Sequence, residues 1–350
     1  MMYAILILML IAVVMVNRLA ADKRPALQLF AVTVQTTGLD GMSAEMKTYY
    51  DMTLIDEAEP SLVHDQFGQK RPIPANGGKK IEFRKFAGLA KALTPLTEGV
   101  TPDGKSLNVT TIEAEVSQYG DFITQSDVLE LTAIDNTIVE ATKILGRQAG
   151  ATLDTIVRNV LQSGTNVTYC PKVGADGAET PVTSRSALDN TCQLTVKVLQ
   201  QVVAKLRAQN APTINGKYVA IIHPYVAYDL MQDKNWTDAH KYSDPEKLFN
   251  GELGEIAGIR FVQSSEAKIY SGGVFSTLVL ADDAYGVTEI TGGGLQTIVK
   301  QKGSAGTADP LDQRSSVGWK AMRTAEILNQ QYLVRIESKS AAFSAAAAEN

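Results

Sequence analysis

Reactive side chains are scarce in these 350 residues. Two cysteines, Cys170 and Cys192, make no disulfide framework and no four-ligand zinc site. Both read as small apolar residues buried in a reducing compartment. Three histidines, His64, His223 and His240, leave little for metal or acid–base chemistry. His223 precedes a proline at a strand end and His64 precedes Asp65, but neither has a Ser or Cys partner in a recognisable frame. Surface or capping roles are expected for both. No GxSxG elbow and no GxxxxGK[ST] or GxGxxG loop is present, so Gly292-Gly293-Gly294 reads as a strand-to-strand turn. Asp282, Asp283 and Asp309 read as turn acids rather than cation ligands. No catalytic, cofactor or metal site is expected, and an enzyme is the weakest functional class. Charge is sparse too, at 20% of residues, and 33 basic against 38 acidic side chains give −5. A net-acidic chain does not advertise nucleic-acid binding, which needs clustered Lys and Arg. The 27 glycines and 12 prolines are ordinary usage, which excludes collagen-like and low-complexity classes.

Apolar material is present in quantity, at 45% of residues, enough for a large core. Its oddest concentration is Met1 to Val16, sixteen residues without a charge, at the short edge of what spans a bilayer. Arg18, Lys23 and Arg24 follow the run. That order suits a short anchor with its bulk in the cytoplasm better than a secretory signal cut near Ala20 or Ala21. A third reading is that translation begins further in. The stretch 31–41 reads as a flexible arm. Asn108, Asn166 and Asn235 head glycosylation triplets that matter only in a secretory pathway.

A short amphipathic helix is predicted from Met42, capped by Ser43 with Glu45 and Lys47 exposed. Alternation at Ile81, Phe83 and Lys85, and again at Ile112, Ala114 and Val116, predicts two strands of a hairpin. Some twenty residues lie between them, centred on LTPLTEGVTPDG, and loops of that length are usually functional or mobile. Ser126 with Asp127 opens a helix predicted to run to residue 163, on the spacing of Leu131, Ile134, Ile138, Leu145, Leu153, Ile156 and Val160. Gly146 and Gly150 inside it point to a close packing contact or a bend. A second helix is predicted from Ser186 to Gln209, on a face of Leu188, Cys192, Val196, Leu199, Val203 and Leu206. Further strands are predicted at Tyr218–Ile222, Ile259–Val262, Thr277–Leu280, Leu295–Lys300, Val317–Met322 and Gln331–Glu337, with a short helix at Tyr225–Gln232 and an Ala-rich tail. The fold class is α+β without regular βαβ winding.

Six runs taken together carry a resemblance: SAEMKTYYD (43–51), LVHDQFGQKRPIPANGGKKIEFRKF (62–86), LTEGVTPDG (96–104), EVSQYGDFITQSDVLELTAIDN (115–136), LDTIVRNVLQSGTNVTY (153–169) and GTADPLDQRSSVGWKA (306–321). Their wording and order resemble the major capsid proteins of tailed bacteriophages, in the family of the phage N-four coat protein, over about residues 32–337. The resemblance implies a Hong Kong 97-type capsid fold with N-arm, extended β-hairpin loop, long spine helix in a peripheral domain, and an axial domain. Placed on this sequence, it implies an apolar segment at 1–30 not required in the mature protein and an N-arm at 31–66. The hairpin loop would be 67–125, the peripheral domain 126–164 with 291–340, and the axial domain 165–290. The implied function is a structural major capsid protein that self-assembles into hexamers and pentamers of an icosahedral phage head enclosing double-stranded DNA. The alternative on the same fold is the shell of an encapsulin-type nanocompartment. Expected partners are other copies of the chain, a separate scaffolding protein, a portal, a decoration protein, and packaged DNA held without sequence-specific binding. No membrane partner is expected. The implied location is the virion capsid, assembled in the host cytoplasm. Arg84, Lys85, Lys91 and Glu98 on the hairpin are the candidate intersubunit contacts.

Overall fold

A computed structural model describes residues 44–58, 62–86, 88–96, 98, 99, 101, 103–132, 137–174, 176–237, 254–304 and 309–350. The apolar run, the arm to residue 43, Ser43 and His240 lie outside the described residues. Residues 47–350 form one unit.

In chain order the elements are α1 (Ala44–Ala58), β1 (Gln69–Lys70), β2 (Lys80–Phe86), β3 (Val109–Glu115), β4 (Ser117–Ser126), α2 (Asp127–Thr132), α3 (Thr137–Gln162) and β5 (Val167–Tyr169). There follow β6 (Lys172–Val173), β7 (Glu179–Thr180), α4 (Val196–Ala208), β8 (Tyr218–Ile222), α5 (Pro224–Gln232), β9 (Glu255–Ile256) and β10 (Ile259–Gln263). The chain ends with β11 (Ile269–Tyr270), β12 (Val274–Leu280), β13 (Tyr285–Thr288), β14 (Gln296–Lys300), β15 (Arg314–Ile327) and β16 (Leu333–Lys339).

Two sheets carry the core. The seven-stranded sheet runs β5-β16-β12-β8-β10-β9 with β11 on β12, in mixed parallel and antiparallel pairing. Every residue of β8 and β12 is buried. One face packs Tyr218, Ala220 and Ile222 against α4 and α5, with Val203, Leu206, Val226 and Leu230 in the same cluster. The other face sets Ile221, Leu278 and Leu280 against Val157 and Leu161 of α3. The five-stranded sheet runs β1-β13-β15-β14, with β4 on the other edge of β15. Its inner face sets Val317, Trp319 and Ala321 against Leu145, Ala149 and Leu153 of α3. One helix, 26 residues and about 39 Å long, therefore underlies both sheets.

The predicted spine helix is present as two elements, α2 and α3, with 133–136 outside the described residues; Ser126 Oγ accepts the Leu129 N–H and so caps the first. The helix expected from Ser186 begins only at Val196. The preceding turn explains why. Asp189 Oδ1 accepts the Thr191 N–H and hydroxyl, and Cys192 O accepts the Lys339 N–H at 3.0 Å, so these backbone groups are committed to a turn and a sheet edge. Leu188 and Cys192 are buried, as their periodicity demanded, but not on a helix. Strand β4 carries a weak alternation, since only Phe122 interrupts a polar outward face containing Gly120.

Strand pairing also cuts the chain elsewhere than at residue 290. β13 pairs with β15 in the five-stranded sheet, whereas β16 pairs with β12 and β5 in the seven-stranded one. The chain leaves one sheet at Ile327 and enters the other at Leu333. Sheet membership follows hydrogen-bond partners, which sequence order does not fix.

Candidate assembly surface

β2 and β3 pair antiparallel from Lys80↔Glu115 to Phe86↔Val109, so a long loop projects between two seven-residue strands. The root is fixed from inside. Phe83 and Ala114 are buried on the inward face. Gly286 leaves room for the Phe83 ring, which a Cβ there would meet at 2.7 Å. Ahead of the hairpin, Arg71 N and Ile73 N donate to Val287 O and Glu289 O at 3.1 and 2.8 Å, laying that segment along β13. A cleft of about 350 Å³ opens at the root, lined by Arg71, Phe83, Arg84, Lys85, Phe86 and Asp283 among others.

Beyond the root the loop is unsupported. Leu93 and Leu96 are 83% and 78% exposed, and Leu89 and Leu107 are exposed as well. Lys91 and Glu98 lie here in solvent, and Arg84 and Lys85 are exposed on β2 at the root. Arg84 approaches Glu82 of its own strand at 3.9 Å, and Lys80 approaches Glu113 at 3.6 Å. Exposed pairs of that kind contribute about 0–1 kcal/mol. Among the described residues Lys85, Lys91 and Glu98 form no ion pair. The stretch 69–86 carries six cations and one acid, in a chain of net charge −5. The partner strand β3 adds Glu113 and Glu115 and no cation, so β2 and β3 together carry three cations and three acids.

A second exposed apolar surface lies on the first two helices, and the sequence reading did not single it out. α1 buries Tyr50, Leu54 and Ala58 at a four-residue spacing and leaves Tyr49, Met52 and Ile55 outside. α2 has no buried residue; Val128, Leu129 and Leu131 all face solvent, Leu131 at 80%. Its acid Glu130 pairs with Lys302 at 3.0 Å. Burial, with Tyr49 and Glu130 nearby, raises the pKa of the Tyr50 hydroxyl. The signal available in sequence was Val128, Leu129 and Leu131 crowded into one helical turn and a half, too many apolar positions for one buried stripe.

α1 itself is held by an uncommon row on α3. Thr142, Gly146, Gly150, Asp154, Arg158 and Gln162 recur every four residues and are all buried, though none is a large apolar residue. A Cβ on Gly146 would meet Leu54 O at 2.8 Å and one on Gly150 would meet Ala58 O at 2.4 Å, so the two helices touch backbone to backbone. The glycines mark the close contact their position suggested. Beyond them Asp154 accepts both the His64 N–H and the His64 ring Nδ1 at 2.7 Å. His64 is fully buried and structural, neither surface-exposed nor a cap. At the far end Arg158 donates to Glu266 O at 2.6 Å, and Gln162 Oε1 accepts from Ser276 Oγ at 2.7 Å.

The other candidate reactive groups serve the fold. His223 caps α5, its Nδ1 accepting the Tyr225 N–H at 3.2 Å, and burial lowers its pKa. Cys170 and Cys192 are buried, and desolvation pushes both thiols up. Asp282 and Asp309 accept backbone N–H groups within their own turns. Glu337, wholly buried, takes a bidentate pair from Arg185, which stacks 3.5 Å over Tyr270. Among the described residues no three His, Cys, Asp or Glu side chains converge as a metal site, and no helix is long and apolar enough to cross a membrane.

The sequence profile of a family described as phage capsid protein matches residues 108–336. No curated protein matches the chain in sequence. Among solved structures, the capsid of cyanophage P-SCSP1u is similar at TM-score 0.63 and 15% identity, covering 80% of this chain and 88% of that one. The cyanophage Pam1 capsid gives 0.60 at 12% identity, with 81% and 92% covered. The head of Helicobacter pylori bacteriophage KHP40 gives 0.58 at 12% identity, with 77% and 88% covered. Likeness at such low identity speaks to the fold, which is the Hong Kong 97 type.

Proposed function

Because this chain belongs to the phage capsid protein family and is a structural protein of the virion capsid, we propose that it is the repeating subunit of an icosahedral head, assembling as hexamers and pentamers around double-stranded DNA. The family match across 108–336 carries this reading; it favours a viral coat over the nanocompartment shell. We assign no catalytic role. The peripheral domain would comprise the five-stranded sheet with α2 and α3, and the axial domain the seven-stranded sheet with α4 and α5. A separate scaffolding protein, a portal and a decoration protein are the expected assembly partners, in the host cytoplasm.

Physical chemistry supports the same reading. A net-acidic wall does not hold packaged DNA by its phosphates, which lets the genome pack and leave. Exposed leucines on a projecting loop are an aggregation liability for a monomer and a contact for a coat subunit. Arg84, Lys85, Lys91 and Glu98 are the proposed charged contacts to a neighbouring copy, each weak alone and repeated at every interface. Negative-stain electron microscopy of the purified full chain, with and without its cognate scaffold, tests the proposal. Closed shells or ring-shaped capsomers are expected. A monodisperse monomer at all concentrations with scaffold added would overturn it.

A further inference from the structure

The seven-stranded sheet brings the chain's two cysteines to one place, and β16 supplies the frame. Cys170 N donates to Glu337 O at 3.0 Å, the last step of the β5–β16 ladder. Lys339 N, the next group along that edge of β16, donates to Cys192 O at 3.0 Å. The backbones of the two cysteines therefore occupy successive slots on one strand edge. Both side chains enter the cluster that holds Leu194, Val334 and Ile336. Lys172, two residues after Cys170, pairs with Asp189, three before Cys192, so the same two segments are joined again nearby. Burial, and then the nearby Cys192, push the Cys170 thiol up. A disulfide needs Cα atoms about 4.4–6.8 Å apart, and two residues of strand span about 6.6 Å. We propose that Cys170 and Cys192 are oxidised to an intrachain disulfide when the protein passes from a reducing to an oxidising medium, fastening the base of the segment 171–191. Its timing rests on the capsid reading above, since a coat made in the host cytoplasm meets oxidant only after release.

The oxidant is a low-molecular-weight disulfide. Cys192 follows the exposed Asn190 and Thr191 in a turn, so it reaches solvent first when that turn opens, whereas Cys170 is enclosed in the ladder. The Cys192 thiolate attacks one sulfur of the oxidant, forming a mixed disulfide and releasing one small thiolate. The Cys170 thiolate then attacks the Cys192 sulfur and expels the second. The two protein thiols lose two protons and two electrons, and the oxidant is reduced to two small thiols. Buried thiols react slowly, which keeps the pair reduced through assembly. The segment so fastened carries β6, β7 and the turn ahead of α4. Its base is otherwise tied by the Lys172–Asp189 and Arg185–Glu337 ion pairs, the first of them open to screening by salt.

Purified particles and the unassembled full chain are each held in oxidised glutathione without denaturant, then unfolded, alkylated at free thiols and digested with trypsin. Cleavage after Arg158, Lys172, Arg185 and Lys197 puts the cysteines on separate peptides, 159–172 and 186–197. A species joining those two peptides and lost on reduction is expected, with the chain still running as a monomer on a non-reducing gel. Alkylation of both cysteines after prolonged oxidation overturns the proposal, as does a glutathione adduct that never resolves or a disulfide between copies. The bond is expected to raise the unfolding temperature by roughly 5 °C, reversed by dithiothreitol. A linked pair with no such rise overturns the fastening role. Cys192→Ser keeps a donor for Asp189 and is expected to abolish the oxidant-dependent rise; a rise that persists counts against the pair. Should that variant not fold, Cys170→Ala makes the same comparison. Because the mapping also works on unassembled chain, failure to form particles bears on the capsid reading alone.

Discussion

The seven-stranded sheet and the projecting hairpin treat the same residue types in opposite ways. From Val274 to Leu280 every side chain of β12 is buried, between the α4–α5 layer and the C-terminal half of α3. In the hairpin loop Leu93 and Leu96 stand almost wholly in water. Leucine occurs in both segments, and what surrounds it differs. A strand covered on both faces keeps its apolar area for folding one chain. A loop with neither face covered keeps it for another molecule. A coat subunit needs both kinds of segment, since it must fold alone before it can assemble.

Truncating one leucine in each region sharpens that contrast most. Leu280→Ala leaves a cavity between the sheet and α3 and is expected to cost about 2–5 kcal/mol of subunit stability in urea unfolding. Leu93→Ala is expected to change the same measurement by less than about 0.5 kcal/mol while lowering particle yield. Equal loss of stability in the two variants would show that the loop belongs to the subunit's own core.

The contact between α1 and α3 stands between those extremes, buried but made of backbone. Gly150→Ala forces a methyl group against Ala58 O and is expected to cost about 1–3 kcal/mol. The loss should localise to α1. Faster protease cleavage within 44–58, with the seven-stranded sheet still protected in hydrogen exchange, would show it; uniform loss of protection would mean that α1 folds with the whole.

The smallest effect is a pH dependence inside the buried region. Burial lowers the pKa of His223 from 6.5, and its neutral Nδ1 accepts the α5 cap hydrogen bond. The folded state therefore binds this proton less readily than the unfolded chain. Its contribution is complete above about pH 6.5 and declines as pH falls towards the folded value. His223→Asn keeps a capping acceptor without titrating, so the slope between pH 7 and 5 should flatten while stability at pH 7 changes by less than about 1 kcal/mol. An unchanged slope would assign that pH dependence to other groups.

Much of the hairpin was legible because its root alternates strictly. Ile81 and Phe83, then Ile112 and Ala114, mark an inward face in which period and burial agree. The cap at Ser126, the strand at Tyr218–Ile222 and the helix after His223-Pro224 were legible for the same local reasons. The polar row on α3 was not. Thr142, Asp154, Arg158 and Gln162 carry no apolar signal, and the arriving His64, Glu266 and Ser276 give three of them buried partners. The helix start at Val196 was missed because Asp189 and Lys339 decide it, one through a local turn and the other from far along the chain.

By itself the sequence determined the absence of a recognisable reactive motif, the acidic balance, the hairpin with its long intervening loop, and a run of motifs resembling tailed-phage coat proteins. Those properties rest on residue identity and short-range periodicity, which a chain carries before it folds. Tertiary structure alone decided which sheet each late strand joins, that His64 is a buried pin, and that α2 buries none of its residues. Each depends on which distant backbone or side chain arrives at a given place, and no local spacing encodes that arrival.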